Sequence, residues 1–361
     1  MNYWGEIAAR GFMPVAVLFV TGIFLWLPRW TRPDVYFGVT LPEPFRDSEE
    51  GLELLAGYRR LVLVFAAVAL GCALTGTIFL TNVLQSVAPF VLGFGALIAF
   101  VRTHLKTVPF RVPADTVREA PLTVQRGRLP GGRLAQAGPF ILLAVASAAL
   151  ALRWNSLPDR VPVHWGLDGA PDGWLPHTHK VLFSVPLIQG AECFLMLIMA
   201  MALLRRGHRI SATGKLNTGE TGFRRTILRV LLVSEYFVAF NGAFPFFLAL
   251  IDSRQIRRIV LISIIVGTVA VSFLITVWII IAGVRWSRVR SGRTSKSAPV
   301  GDGTPDECWK LGFIYINRKD PAVFVQRRFG IGYTLNLGNG WSWCLLAGMV
   351  LIILVPVLVW T

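Results

Sequence analysis

Six side chains able to bind a metal or move a proton fall in one stretch between two apolar segments: Asp159, His164, Asp168, Asp172, His177 and His179. Imidazole and carboxylate supply the atoms that zinc sites use, so His164, His177 and His179 form a candidate metal set. A plainer account competes with it. Asp168 and Asp172 each precede a glycine, where a carboxylate commonly bonds to the backbone of a turn. The chain has no HExxH and no CxxC spacing, so no metal or other cofactor is expected. It also has no GxSxG, no P-loop and no aspartyl-protease pair within an apolar segment, and no enzymatic activity is expected.

A second kind of chemistry lies inside apolar segments. Glu192 and Glu235 each interrupt a long hydrophobic run. An ionisable group in a bilayer costs about 2.5–3.5 kcal/mol on insertion scales, so it faces a partner or a watery cavity. Glu192 is expected near the midplane, with Asn241 at a similar depth on the next helix. Glu235 is expected about 8 Å from the cytoplasmic end of that helix. One account is a carboxyl hydrogen-bonded between helices; the other is a proton-coupled or substrate-binding site.

The elements that must position these groups are membrane helices. Of 361 residues, 54% are hydrophobic and only 16% charged, far from the quarter charged that soluble domains carry. The apolar residues come in blocks near the roughly 20 residues a bilayer crossing needs. About eight spans are expected, at residues 11–28, 61–80, 83–101, 137–152, 181–204, 230–251, 259–284 and 343–360. The fold class is thus an all-α polytopic membrane protein with a small β-rich module before the last helix. The first span lacks a basic leader and a cleavage site, and is expected to be retained.

Orientation follows from the basic residues. Odd-numbered loops hold 29 of the 36 Lys and Arg residues and the other side holds 7. By the positive-inside rule both termini lie outside the cytoplasmic membrane. The net charge of +16 is spread over four juxtamembrane loops rather than one soluble face, which fits anionic headgroups and argues against nucleic acid. Cys72, Cys193, Cys308 and Cys344 have no metal-ligand spacing and read as small apolar residues.

The chain divides into residues 1–136, with three spans and their loops, and 137–284, a core carrying the outward loop 153–180. A basic flexible linker at 285–304, a module at 305–341 and the last helix at 342–361 follow. In the first loop Ser48 is placed to cap a helix running to Arg60. In the module, Leu311–Ile316, Val323–Val325 and Ile331–Leu337 read as three strands. Phe37-Gly38-Val39 is echoed there by Phe329-Gly330-Ile331. In the outward loop Val161–Trp165 reads as a strand, and Asp168-Gly169 and Pro171-Asp172-Gly173 as two turns. Trp154, Trp165 and Trp174 suit a membrane interface.

The run LPDRVPVHWGLDGAPDGW at 157–174 resembles the hallmark of a bacterial membrane domain of unknown function, also found in SdpI-type immunity proteins that protect a producing cell from its own peptide toxin. The run YINRKDPAVFVQRRFGIGYTLNLGNGWSW at 315–343 resembles a second uncharacterised module often found in the same chains. The resemblance implies a sensor or immunity protein that binds a peptide or envelope ligand. The outward loop would carry the binding, with His164, Trp165, Asp168, Gly169, Asp172 and Trp174 at its centre. In the module, Asn317, Asp320, Phe329, Gly330 and Asn336 are the candidate residues, where a cytoplasmic regulator could meet the basic face. A transporter using the intramembrane acids is the first alternative, a membrane-embedded metal enzyme the second. The mid-span Pro89, Pro186 and Pro245 allow kinks, but no clear repeat supports transport.

Overall fold

A computed structural model describes residues 11–31, 34–113, 128–166, 169–205, 218–248, 251, 253–291 and 304–360. It is mostly helical. The helices are α1 (Phe12–Trp30), α2 (Glu49–Ile78), α3 (Asn82–Thr107), α4 (Gly132–Leu152), α5 (His179–Arg205), α6 (Thr218–Leu248), α7 (Arg254–Ser291) and α8 (Gly340–Trp360). The first seven are long and apolar enough to cross a membrane, whereas α8 has a shorter apolar stretch, Gly340–Val355. Large apolar side chains such as Phe90, Phe94, Leu187 and Leu274 stand exposed along these helices, which in a bilayer is the solvated state for them.

The chain forms two units. One comprises Met1–Arg118, Gly283–Lys319 and Val325–Gly338, and the other comprises Glu119–Ala282, Asp320–Phe324 and Asn339–Thr361. In the first, α2 begins at Ser48, whose hydroxyl accepts from Gly51 N at 3.2 Å. The capped helix runs without interruption from the acidic first turn into the membrane span. Ala66, Ala69 and Ala73 of α2 pack on Ala88 and Leu92 of α3 and Val17 of α1. Gln85, a polar residue at the start of α3, donates to Thr77 Oγ1 at 3.0 Å and ties the hairpin between the two helices.

The same unit holds a hairpin absent from the sequence reading. Strands β1 (Val35–Tyr36) and β2 (Val39–Thr40) pair antiparallel around Phe37-Gly38. Both turn residues have positive φ, +44° and +81°, the two-residue turn whose twist matches a hairpin. Tyr36 OH donates to Gly51 O at 3.0 Å. Burial pushes that phenol up to about 12, against the pull of Arg46 and Arg59, so it stays a donor at neutral pH.

The module near the C-terminus differs from the expected three-stranded sheet. Strands β5 (Trp309–Lys310) and β6 (Ile314–Tyr315) make one hairpin, while β7 (Phe324–Gln326) and β8 (Tyr333–Leu335) make another pair. Leu311 and Gly312 have φ of +51° and +77°, so they turn the chain where a continuous strand was expected. The expected linker from 285 is helical as far as Ser291, and residues 292–303 lie outside the described residues. The cysteines also diverge: among them Cys193 is buried, whereas Cys344 is exposed.

Candidate functional site

Between α4 and α5 the chain folds into a hairpin of β3 (Arg160–Trp165) and β4 (Pro171–Pro176). The strand at 161–165 was expected; the second strand replaces a predicted turn. Its register is Arg160 opposite Pro176, Val161 opposite Leu175, Pro162 opposite Trp174, and then a shift that sets His164 opposite Gly173. A side chain at Gly173 would meet His164 Cβ at 2.7 Å. The glycine that looked like a turn signal serves this close crossing of strands.

Strand alternation sorts the residues into two faces. Val161 packs with Leu150 of α4 and Leu182 of α5, and Leu175 lies against that cluster. Trp165, 6% exposed, is buried with Leu248 of α6 and Leu261 of α7. Its indole Nε1 has no hydrogen-bond partner among the described residues. Gly169 sits at φ +76°, and a Cβ there would meet Arg254 O at 2.7 Å and Arg258 N at 2.9 Å. The Arg257 guanidinium donates to Gly169 O at 3.3 Å and to Ile251 O at 2.6 Å. Trp165 and Gly169, predicted as ligand contacts, therefore anchor the hairpin. Arg257, which supplies the clamp, carried no local motif. Asp168 lies outside the described residues.

The opposite face is exposed. His164 Nδ1 and Asp172 Oδ1 are 2.5 Å apart, with their side chains 73% and 53% exposed. Trp174 is 48% exposed, and Arg160 is exposed on the same strand face as His164. The other two histidines go elsewhere. Trp154 lies flat on His179 with ring centroids 3.7 Å apart, and His177 tilts against it at 4.3 Å. His164 is thus engaged with a carboxylate while His177 and His179 join an aromatic stack. No group of three His, Cys, Asp or Glu placed to hold a metal occurs among the described residues.

Within the helices α5 and α6 meet along a polar layer. Cys193 Sγ donates to Glu235 O at 3.4 Å. Gln189, with its amide turned to donate, reaches Val238 O at 3.1 Å and Glu192 Oε2 at 3.2 Å. Glu235 is fully buried, and neither carboxyl oxygen has a partner among the described residues. Asn241 donates to Phe237 O at 2.8 Å within its own helix. Glu235 is near the middle of the apolar stretch Thr221–Pro245 and faces the neighbour of Glu192. Helix α6 starts at Thr218, and its Asn241 stands beside Gly242, which packs on Gln189.

The candidate residues of the module are explained by local structure. Asn336, fully buried, accepts from Asn317 N and donates to Asn317 O, both at 2.9 Å. Asp320 accepts from Ala322 N at 3.0 Å. Phe329 stacks on Phe37 at 5.8 Å and tilts against Phe100 at 4.3 Å. Gly330 takes φ +78°. The residue that sequence reasoning missed is Arg328: it is 1% exposed, donates to Gly38 O at 3.3 Å and Thr304 O at 2.6 Å, and pairs with Asp306 at 2.5 Å. The repeated Phe-Gly was the available signal, since Phe37 and Phe329 meet in space.

Two family models match the chain. A domain of unknown function (DUF1648) covers residues 141–190, spanning the second part of α4, the hairpin and the first part of α5. A family of unknown function (DUF5808) covers residues 318–343, within the module and the start of α8. Comparisons with curated proteins and with solved structures found no match.

Proposed function

We propose that this integral membrane protein is a non-enzymatic sensor or immunity-type protein that binds a peptide or envelope ligand through the outer face of its β3–β4 hairpin. One observation carries the reading: the hairpin's inner face is fixed to the helices by Val161, Trp165 and Gly169, while Arg160, His164, Asp172 and Trp174 stand exposed on a backbone already in place. A preformed surface loses little ordering entropy on binding, and an exposed Trp beside charged groups is the usual anchor of a small interface. The distribution of Lys and Arg supports an outward hairpin, with both termini outside and the 305–341 module in the cytoplasm. The test is the double variant Asp172→Asn with Trp174→Phe. It should leave membrane abundance unchanged and reduce protection or signalling; a loss of function that always accompanies loss of protein would refute the recognition role.

A second reading draws on Glu235. A fully enclosed carboxyl with no partner among the described residues, one helix away from Glu192, supports proton-coupled export. Glu235→Gln would then abolish transport in proteoliposomes under a pH gradient, and unchanged transport would remove this alternative.

A further inference from the structure

We propose that the groove between α4 and α5, at the end of α4 that carries Arg128 and Arg133, holds one anionic phospholipid. A cavity of about 810 Å³ lies there, with Arg128 and Arg133 at its lip and Phe140, Leu197, Met201 and Leu204 among its lining residues. That is the volume range of small-molecule sites. Both guanidinium-bearing residues are exposed, and no acid lines the cavity among the described residues.

The lip is built rather than incidental. Gly131 and Gly132 take φ of +68° and +70°, and Gly132 N donates to Leu129 O at 3.3 Å. The buried Gln136 amide donates to Pro130 O at 3.0 Å, which folds this turn back on the helix. Helix α4 starts with no side-chain cap and no acid in its first turn, so its positive end adds to the two arginines. A free phosphate would satisfy the lip and leave the apolar floor empty. A neutral lipid would cover the floor and leave the cations without an anion. An acidic amphiphile meets both, and the basic side of a membrane protein faces the leaflet rich in such lipids.

The experiment uses the full chain purified in a mild detergent, with bound lipid counted by native mass spectrometry. Palmitoyl-oleoyl phosphatidylglycerol and the matching phosphatidylcholine are the probes, and glycerol phosphate is the headgroup competitor. Wild type should retain phosphatidylglycerol in preference to phosphatidylcholine, and excess glycerol phosphate should not displace it. Arg128→Gln with Arg133→Gln should weaken retention about thirty-fold, the effect of two basic groups at a lipid surface. Equal retention of phosphatidylcholine, displacement by glycerol phosphate alone, or undiminished phosphatidylglycerol on the double variant would each overturn the proposal. If the double variant does not accumulate, the wild-type comparison of the two lipids and the competitor decides it.

Discussion

The Cys193 thiol donates to the main-chain carbonyl of Glu235 across the α5–α6 contact, which brings the two intramembrane acids of these helices, Glu192 and Glu235, to one level. They differ in what surrounds them. Glu192 accepts from Gln189, while the Glu235 carboxyl has no partner among the described residues.

Glu235→Leu is therefore expected to raise thermal stability. It removes a buried polar group left unpaired, at a gain of about 1–3 kcal/mol. Glu192→Leu is expected to lower stability, because the Gln189 amide loses one of its two acceptors. Unfolding midpoints of the two variants in the same detergent check this. A destabilised Glu235→Leu variant would mean that the carboxyl is satisfied.

Trp165 separates packing from hydrogen bonding. Trp165→Ala opens a cavity beside Leu248 and Leu261 and should cost about 3–5 kcal/mol. Trp165→Phe keeps most of the ring and removes an indole N–H without a partner among the described residues, so it should be far milder. Membrane abundance and unfolding midpoints distinguish them. Equal losses would show that the indole nitrogen is engaged.

Arg328→Lys is expected to destabilise the first unit almost as much as Arg328→Ala. A lysine cannot reproduce a fork that serves Gly38 O, Thr304 O and Asp306 together. Removing one member of such a buried pair costs about 3–5 kcal/mol. Limited proteolysis of the 304–338 region reads the effect, and a resistant Arg328→Ala variant would contradict it.

Two glycines give opposite expectations. Gly38→Ala should prevent accumulation of folded protein, since Gly38 has φ +81° and a Cβ there would reach Gly312 C at 2.8 Å. Gly267→Ala in α7 should change stability by less than about 1 kcal/mol, because a Cβ there meets nothing within 4 Å. Expression level and unfolding midpoint test both.

Topology is open to cysteine labelling in a background without the native cysteines. Introduced cysteines at Thr178 and Ser253 should react with an impermeant reagent on intact cells, and one at Lys319 should react only after permeabilisation. The reverse pattern would invert the orientation that the charge distribution supports.

The helices were legible because bilayer crossing demands a long apolar run, and such runs are local in sequence. The helix cap at Ser48 and the strand at Val161–Trp165 were legible for the same reason. Strand β4 was not: Pro171-Asp172-Gly173 carries turn residues, and only the register shift at His164 shows that Gly173 serves a strand crossing. The empty surroundings of the Glu235 carboxyl among the described residues were not legible either, because they depend on which face of α6 meets α5. Arg328 and the Phe37-Gly38 turn depend on partners far along the chain, where no window of sequence joins them. The clasp between Asn317 and Asn336 in the module was not legible either, because it joins residues 19 positions apart.

The turn at Phe37-Gly38 also sets an order of assembly. Its hairpin leaves the ribosome before α2, yet Gly312, Arg328 and Phe329, which close over it, are synthesised only after all the helices from α2 to α7. During that interval Phe37 lacks its Phe329 cover, and the Gly38 carbonyl lacks its Arg328 donor. Apolar surface exposed in a late-folding chain is a handle for chaperones and proteases. A ribosome stalled or terminated before residue 304 should therefore release a membrane-inserted fragment that is cleared rapidly, so that completion of the last module acts as the quality check on the first.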